Sequence, residues 1–130
     1  MSTRGIELIL MKQLASCLAM PIAILDAKGD MIYCNESGEQ LLGLRMDGLG
    51  PMSSETIARL LDVTDLDGAP LATTDLPMHF AVEHTRPIHR QFCIRGLDGV
   101  GRCLAGTAFP LVNVLGEHVG TVSVFWELPQ

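Results

Sequence analysis

Apolar residues follow a helical spacing at the start of the chain and a strand-like alternation near its end. Between Ile6 and Leu18 they recur every three or four residues, which predicts a helix over Ile6–Ala19 that ends before Pro21. Over Ile88–Arg95 apolar and polar residues alternate instead, which predicts a half-buried β-strand. The chain therefore mixes helices and strands, and their order decides the fold class.

Turn and capping residues divide the rest of the chain into short elements. A turn at Asp26–Asp30 joins two predicted strands, and Asn35 is a suitable N-cap for a helix that Gly43 ends. Asp98–Gly99 is a strong signal for a later hairpin. The predicted elements, in order, are a helix (6–19), strands (21–25 and 31–34), helices (36–42, 53–61, and 75–85 capped by Thr74 or Asp75) and strands (88–95, 102–111 and 119–126).

The element order predicts an α+β fold. We expect one five-stranded antiparallel sheet with the short helices on one face, plus an N-terminal flanking helix. Residues 45–52 are predicted to be loop because glycine and proline interrupt them. The last strand is apolar on both faces, so its second face needs a cover, either the N-terminal helix or a partner chain.

Composition and charge place the chain among ordinary single domains. Its 130 residues are 48% hydrophobic, enough for one core without a structural metal or disulfides. The formal net charge is −6 and the basic residues are scattered, which argues against binding nucleic acid or an anionic membrane surface. No apolar run approaches the roughly 20 residues of a membrane-spanning helix. We therefore predict no direct nucleic-acid partner and no membrane partner.

Few residues suggest catalysis or metal binding. Asp26 and Asn35 could form a carboxylate–amide pair, but turn formation and helix capping are the favoured roles of these residues at such positions. The sequence has no phosphate-binding glycine loop and no zinc-site spacing. We predict no catalytic residues and no metal. A small enzyme stays an alternative only if a polar cluster lies inside the fold.

The four cysteines form no C-x-x-C motif. Cys93 and Cys103 flank the predicted hairpin, where an aligned register would make them a redox or metal pair. A two-residue turn at Asp98–Gly99 would instead place Cys93 opposite Leu104, and cross-strand geometry rarely suits a disulfide. We therefore predict reduced, buried thiols in a cytoplasmic protein, with Cys93 and Cys103 inert.

Several short motifs occur in an order that a known family shares. They are Ile24–Asn35, with a D-x-x-G turn and a helix-starting Asn, then Leu41–Gly43, Gly68–Leu71, Asp75–Pro77 with the helix to His84, Ile94–Gly99, Phe109–Leu111, and Gly116 with Gly120–Phe125. Each motif is weak alone. Together they cover about residues 20–126 and resemble the PAS domain, a sensory module of bacterial and eukaryotic signalling proteins.

The resemblance implies a non-catalytic sensory or dimerisation module of a signal-transduction or transcription-regulatory protein. It implies a flanking helix over residues 1–19, a PAS-like domain over 20–128, and an output signalling domain in the same or another chain. Trp126–Gln130 replaces the family's usual link after the last strand, so the chain is either a fragment or a stand-alone PAS protein. We expect a homodimer, with interface candidates Ile6, Ile9, Leu10, Leu14, Leu18, Val124 and Trp126.

The resemblance also implies a small pocket beneath the short helices, for a small apolar ligand and with no cofactor required. A sensor that binds haem or flavin is the alternative, with haem held by His79 on the helix equivalent to the family's haem-binding helix. Light-driven flavin chemistry needs a reactive helical Cys, and Cys34 is predicted on a strand. Noncovalent flavin binding stays open. The pocket candidates are Leu42, Ile57, Leu61, Met78, His79, Val82, Phe92, Ile94, Leu104 and Phe109. Ordinary core packing is the alternative role of these mostly aliphatic residues, and it is the one we favour.

Overall fold

Four helices and six strands make up the part of the chain that the structure describes. The structure is a computed structural model that describes residues 3–45, 50–71 and 77–129, without the side chains of residues 3–5, 77, 78 and 80. The predicted cap at Thr74 or Asp75 lies outside the described residues. The elements are α1 (Thr3–Ser16), β1 (Ile22–Asp26), β2 (Asp30–Cys34), α2 (Glu36–Leu42), β3 (Met52–Ser53), α3 (Ser54–Leu60), α4 (Pro77–His84), β4 (Ile88–Arg95), β5 (Gly101–Val112) and β6 (His118–Glu127).

The strands form one antiparallel sheet in the order β3-β2-β1-β6-β5-β4. The α+β class is confirmed, but the described sheet has six strands rather than the predicted five. The additional strand, β3, is only two residues long and pairs Met52 with Met31 and Ser53 with Asp30. Two residues are too short to show an alternating pattern, so the sequence predicts loop up to Met52.

Side-chain alternation gives the sheet two faces that different helices cover. On one face, here called the inner face, Leu104 and Phe125 are buried in a core that includes residues of α2 and α3, and α4 also packs against this core. On the opposite, outer face, Ile24 and Val122 are buried in one cluster with Ala15 of α1. The short helices therefore share one face as predicted. The N-terminal helix covers the outer face. This is one of the two covers predicted for the second face of the last strand, the other being a partner chain.

Three turns use the same side-chain arrangement. Asp26, Asp65 and Asn113 each accept, through Oδ1, hydrogen bonds of 2.9–3.0 Å from backbone N–H groups two and four residues later. Each is followed three residues later by a glycine with positive φ, a conformation that costs glycine little. These glycines are Gly29, Gly68 and Gly116. The predicted turn role of Asp26 is confirmed.

Asn35 joins three elements through one buried carboxamide. Its Oδ1 accepts from the Gly38 N–H at 2.9 Å, which caps α2 as predicted, and from the Ile22 N–H of β1 at 3.0 Å. Its Nδ2 donates to the carbonyl oxygens of Ala15 and Met20 at 3.0 and 2.8 Å. The side chain therefore connects the C-terminal end of α1 to both the sheet and the start of α2.

An ion pair closes the end of the β4–β5 hairpin. Arg102 Nη2 lies 2.8 Å from Asp98 Oδ2, and Asp98 Oδ1 accepts a hydrogen bond from the Val100 N–H at 3.1 Å. The hydrogen bond from Arg102 lowers the pKa of the Asp98 carboxyl below its ordinary value of 3.8. The carboxylate is therefore better stabilised in the folded hairpin than in the unfolded chain.

Asp98→Asn should destabilise the protein modestly at neutral pH and have little effect in acid. A carboxyl with a depressed folded-state pKa stabilises the fold above its unfolded-state pKa, and this contribution is lost as the pH falls through the folded-state value. Chemical denaturation of the wild type and Asp98→Asn from about pH 7 to about pH 3 measures the difference. A difference that stays constant over this range would contradict the proposed contribution of the ion pair.

Candidate functional site

A small cavity lies between the inner face of the sheet and helices α2 and α3. Its volume is about 40 Å³, far below the roughly 300–1,000 Å³ of pockets that hold drug-sized ligands. Almost all the side chains that line it are apolar. They are Ala23, Met31, Leu42, Ile57, Ala58, Leu61, Val63, Phe92, Ile94, Ser123 and Phe125.

Strand and helix periodicity explains why these side chains meet. Phe92 and Ile94 are two residues apart on β4, so both point to the inner face. Ser123 is paired with Ala23 across β6 and β1, which places both on that same face. Ile57 of α3 and Leu61 just after it are four residues apart and close the cavity from the helical side.

The cavity offers very little polar chemistry. Ser123 has the only hydroxyl among the lining residues that the structure describes, and none of those residues carries a charge. Cys34 is buried in the same inner core, where burial raises its pKa to about 12, so it stays a protonated thiol. The described residues include no group of three His, Cys, Asp or Glu suited to a metal ion. The cavity can therefore accept a very small apolar group with one hydrogen bond.

The structure brings together half of the ten predicted pocket residues. Leu42, Ile57, Leu61, Phe92 and Ile94 all line the cavity. Leu104 is buried in the inner core, and Val82 of α4 packs against that core without lining the cavity. The side chain of Met78 lies outside the described residues.

Phe109 does not reach the cavity. It packs against the outer cluster under α1, because it lies five residues after Leu104 on β5 and an odd separation along a strand reverses the face. The sequence alone did not show which face of this long, largely apolar strand points inward.

His79 also lies outside the cavity. It lines a separate open groove with Lys28 and Ser54, and its Nε2 is 3.0 Å from Glu83 Oε2. An imidazole outside the apolar cavity is not positioned to ligate a haem buried there. A cavity of about 40 Å³ also leaves no room for haem or flavin. Neither cofactor fits the cavity in this structure.

Several lining residues were not predicted. They are Ala23, Met31, Ala58, Val63, Ser123 and Phe125. β1 and β6 are apolar on both faces, so alternation alone does not show which of their residues face inward. Pairing Ala23 with Ser123 would have identified both, but that register is fixed by the tertiary fold.

The structure corrects the prediction for two of the cysteines. Cys93 and Cys103 form a disulfide, with their Cα atoms 3.9 Å apart, and both residues are partly exposed. The hairpin tip has three residues rather than two, because the Gly96 N–H bonds to the Val100 carbonyl oxygen at 3.0 Å. This register places Cys93 opposite Cys103 instead of Leu104. Of the remaining two, Cys34 is buried as predicted, whereas Cys17 is exposed.

The predicted dimer residues lie on the outer side of the molecule. Val124 is partly buried against the outer cluster. The other six are exposed, namely Ile6, Ile9, Leu10, Leu14, Leu18 and Trp126. In the described ranges, no helix is both long enough and apolar enough to cross a membrane.

Comparison with known proteins supports the resemblance seen in the sequence. The PAS domain family model matches residues 10–77. The PAS domain of BvgS from Bordetella pertussis has 18% sequence identity and a TM-score of 0.62, covering 95% of this chain and 87% of that one. The PAS domain of the fruit-fly ELK potassium channel has 12% identity and a TM-score of 0.73, with coverages of 95% and 98%. That of nitrogen regulation protein NR(II) from Vibrio parahaemolyticus has 14% identity and a TM-score of 0.62, with coverages of 92% and 98%. No curated protein matches the chain by sequence.

The antiparallel sheet, the short helices on its inner face and the small apolar cavity between them define an α+β domain with the fold of the PAS structures compared above. The family match and the fold similarity point to the same family. The chain belongs to the PAS domain family, the sensory modules of signalling proteins.

Proposed function

We propose that this PAS domain is a cytoplasmic, non-catalytic module that forms a homodimer through α1 and relays a signal to an output domain. The output domain would belong to a signal-transduction or transcription-regulatory protein, in the same chain or another. The observation that carries the proposal is the exposed apolar side of α1, where Ile9, Leu10 and Leu14 are 53%, 58% and 51% exposed. Water-exposed apolar clusters of this kind mark interaction surfaces.

The two sides of α1 favour a second copy of the chain as the partner. Leu8, Met11 and Ala15 pack against the outer cluster of the sheet, so one side of the helix is already used. Ile6, Leu10 and Leu14 recur every four residues and remain uncovered. A second copy would offer the same apolar row and bury both rows at once, as symmetric dimers do.

The position of α1 supports a role in relaying a signal. Its C-terminal end is hydrogen-bonded to Asn35, which also holds β1 and the start of α2. A change in the inner core that moves α2 would therefore reach α1 through one side chain. Such a signal would shift a pre-existing equilibrium between two arrangements of α1, by no more than the difference in the ligand's affinity for them.

The apolar lining of the cavity supports a non-catalytic role and limits the ligand. Ser123 could orient a bound molecule but supplies no general acid or base. A volume of about 40 Å³ suits only a very small apolar molecule unless the helices move. Sensing would then depend on a small ligand or on a partner protein at α1.

Replacing Leu10 and Leu14 together with Glu should convert the homodimer to a monomer. Both side chains are more than half exposed, so the substitution should disturb the fold little while placing charges in the proposed interface. Native mass spectrometry and light scattering at micromolar concentration measure the mass. Leu66→Glu is the matched control, because Leu66 is similarly exposed but lies on the turn beyond edge strand β4. A monomeric wild type, or a double variant that stays dimeric, would contradict the proposal.

A further inference from the structure

The disulfide lies directly behind the wall of the cavity. Cys93 is on β4 between Phe92 and Ile94, which both line the cavity from the inner face. Because side chains alternate along a strand, Cys93 and its partner Cys103 are on the outer face, where both are partly exposed. The bond therefore joins β4 to β5 at the level of the cavity, on the side that solvent reaches.

The residues around Cys93 and Cys103 connect this bond to other segments. β4 is an edge strand of the sheet, and its free side is held by a bridge between Cys93 and Thr64 and by a hydrogen bond from the Arg95 N–H to the Leu61 carbonyl oxygen. Both backbone hydrogen bonds of that bridge are 2.9 Å long. On the other strand, the Cys103 carbonyl oxygen accepts from the Leu128 N–H at 2.8 Å, just after the end of β6. A displacement of Cys93 and Cys103 would therefore shift both the cavity wall and the segment that follows the last strand.

We propose that Cys93 and Cys103 are a reversible redox switch that controls how firmly β4 closes the cavity. The disulfide form holds β4 against β5, and the dithiol form lets the edge strand and its two cavity residues open more often. The consequence for sensing rests on the proposed function of the cavity. The redox change itself depends on neither a ligand nor a dimer.

The setting of the bond indicates a switch rather than a structural cross-link. The two cysteines are only 10 residues apart on adjacent strands that a short hairpin already joins, so the bond is not needed to fix the topology. The inner core is built from apolar residues of the sheet, α2 and α3 and does not include either cysteine. Disulfides in cytoplasmic proteins are usually transient and redox-sensing, so this point rests on the proposed cytoplasmic location of the domain.

The exchange balances with a glutathione-type thiol couple. In oxidation, the thiolate of one cysteine attacks glutathione disulfide, forms a mixed disulfide and expels one glutathione thiolate. The thiolate of the second cysteine then attacks the mixed disulfide, which forms the Cys93–Cys103 bond and releases the second glutathione. Two protein thiols are oxidised and one glutathione disulfide is reduced to two thiols, with both protons passing to glutathione or solvent.

Equilibration of the full chain in glutathione buffers tests the reversible pair. Samples in buffers from mostly reduced to mostly oxidised are alkylated and weighed by mass spectrometry, with Cys17→Ser as the background for all measurements. We expect interconversion of a dithiol and a disulfide form, with both populated at intermediate ratios. The switch is overturned if the disulfide persists in excess reduced glutathione or if both thiols stay free in oxidised glutathione.

Hydrogen exchange on the two trapped forms tests the coupling to the cavity. Amides of residues 88–95 should exchange about tenfold faster in the dithiol form, while those of β1 and α2 change little. A Cys93→Ser/Cys103→Ser variant should match the dithiol form whatever the buffer. Equal hydrogen exchange of β4 in the two forms would contradict the proposal that the disulfide controls how firmly β4 closes the cavity. Because these readouts need no dimer, loss of the α1 dimer would overturn only the proposed function.

Discussion

Asn35→Ala should lower the free energy of unfolding by about 3 kcal/mol. The substitution removes the N-cap of α2, which typically contributes about 1 kcal/mol. It also leaves the Ile22 N–H and the Met20 carbonyl oxygen without the Asn35 side chain as partner, at about 1–3 kcal/mol for such groups. Urea denaturation of the wild type and the variant measures the loss.

Asn113→Ala provides the matched control for this prediction. Asn113 accepts backbone hydrogen bonds from Leu115 and Glu117 and donates to Glu117 Oε1, all within one turn, so the same substitution there should cost less, about 1 kcal/mol. Hydrogen exchange should also show faster opening at the C-terminal end of α1 in Asn35→Ala but not in Asn113→Ala. Equal losses of stability, or an unchanged α1, would show that Asn35 does no more than cap a helix.

Leu104→Ala should destabilise the protein by about 3 kcal/mol, within the 2–5 kcal/mol typical of Leu-to-Ala changes in cores. Leu104 is fully buried in the inner core, opposite Phe92 of the cavity wall. Truncation removes apolar contacts and leaves space that the stiff sheet cannot refill. Thermal and chemical denaturation give the change, and the folded variant should keep the wild-type circular dichroism spectrum.

Leu115→Ala tests whether burial explains that loss. Leu115 is 75% exposed on the β5–β6 turn, so the same chemical change should alter stability by less than about 0.5 kcal/mol. A loss at Leu104 as small as that at Leu115 would mean that the inner core is loosely packed. It would also weaken the assignment of a defined cavity beside Leu104.

Local signals predicted the parts of the fold that depend on neighbouring residues. Asn35 and Gly43 act as the helix caps that their residue types suggest, and Asp26 forms its turn. These roles need only a few residues of chain, so the sequence contains the necessary information.

Features that depend on strand register were not predictable in the same way. One additional residue in the β4–β5 hairpin tip changes the partner of Cys93 from Leu104 to Cys103, and so turns an expected thiol into half of a disulfide. Phe109 was expected in the pocket, but apolar residues occupy both faces of β5 and hide which one is inward. The short strand β3 exists only because β2 is there to pair with it.

The first strand of the chain, β1, and the last, β6, are neighbours in the middle of the sheet. Ile22, at the start of β1, lies opposite Val124, near the end of β6, so the polypeptide enters and leaves the sheet at the same end. A force that pulls the two flanking segments apart would break the hydrogen bonds between β1 and β6 one after another. A domain with both chain ends at the same end of the sheet can transmit a small force between its flanking segments through this single pair of strands.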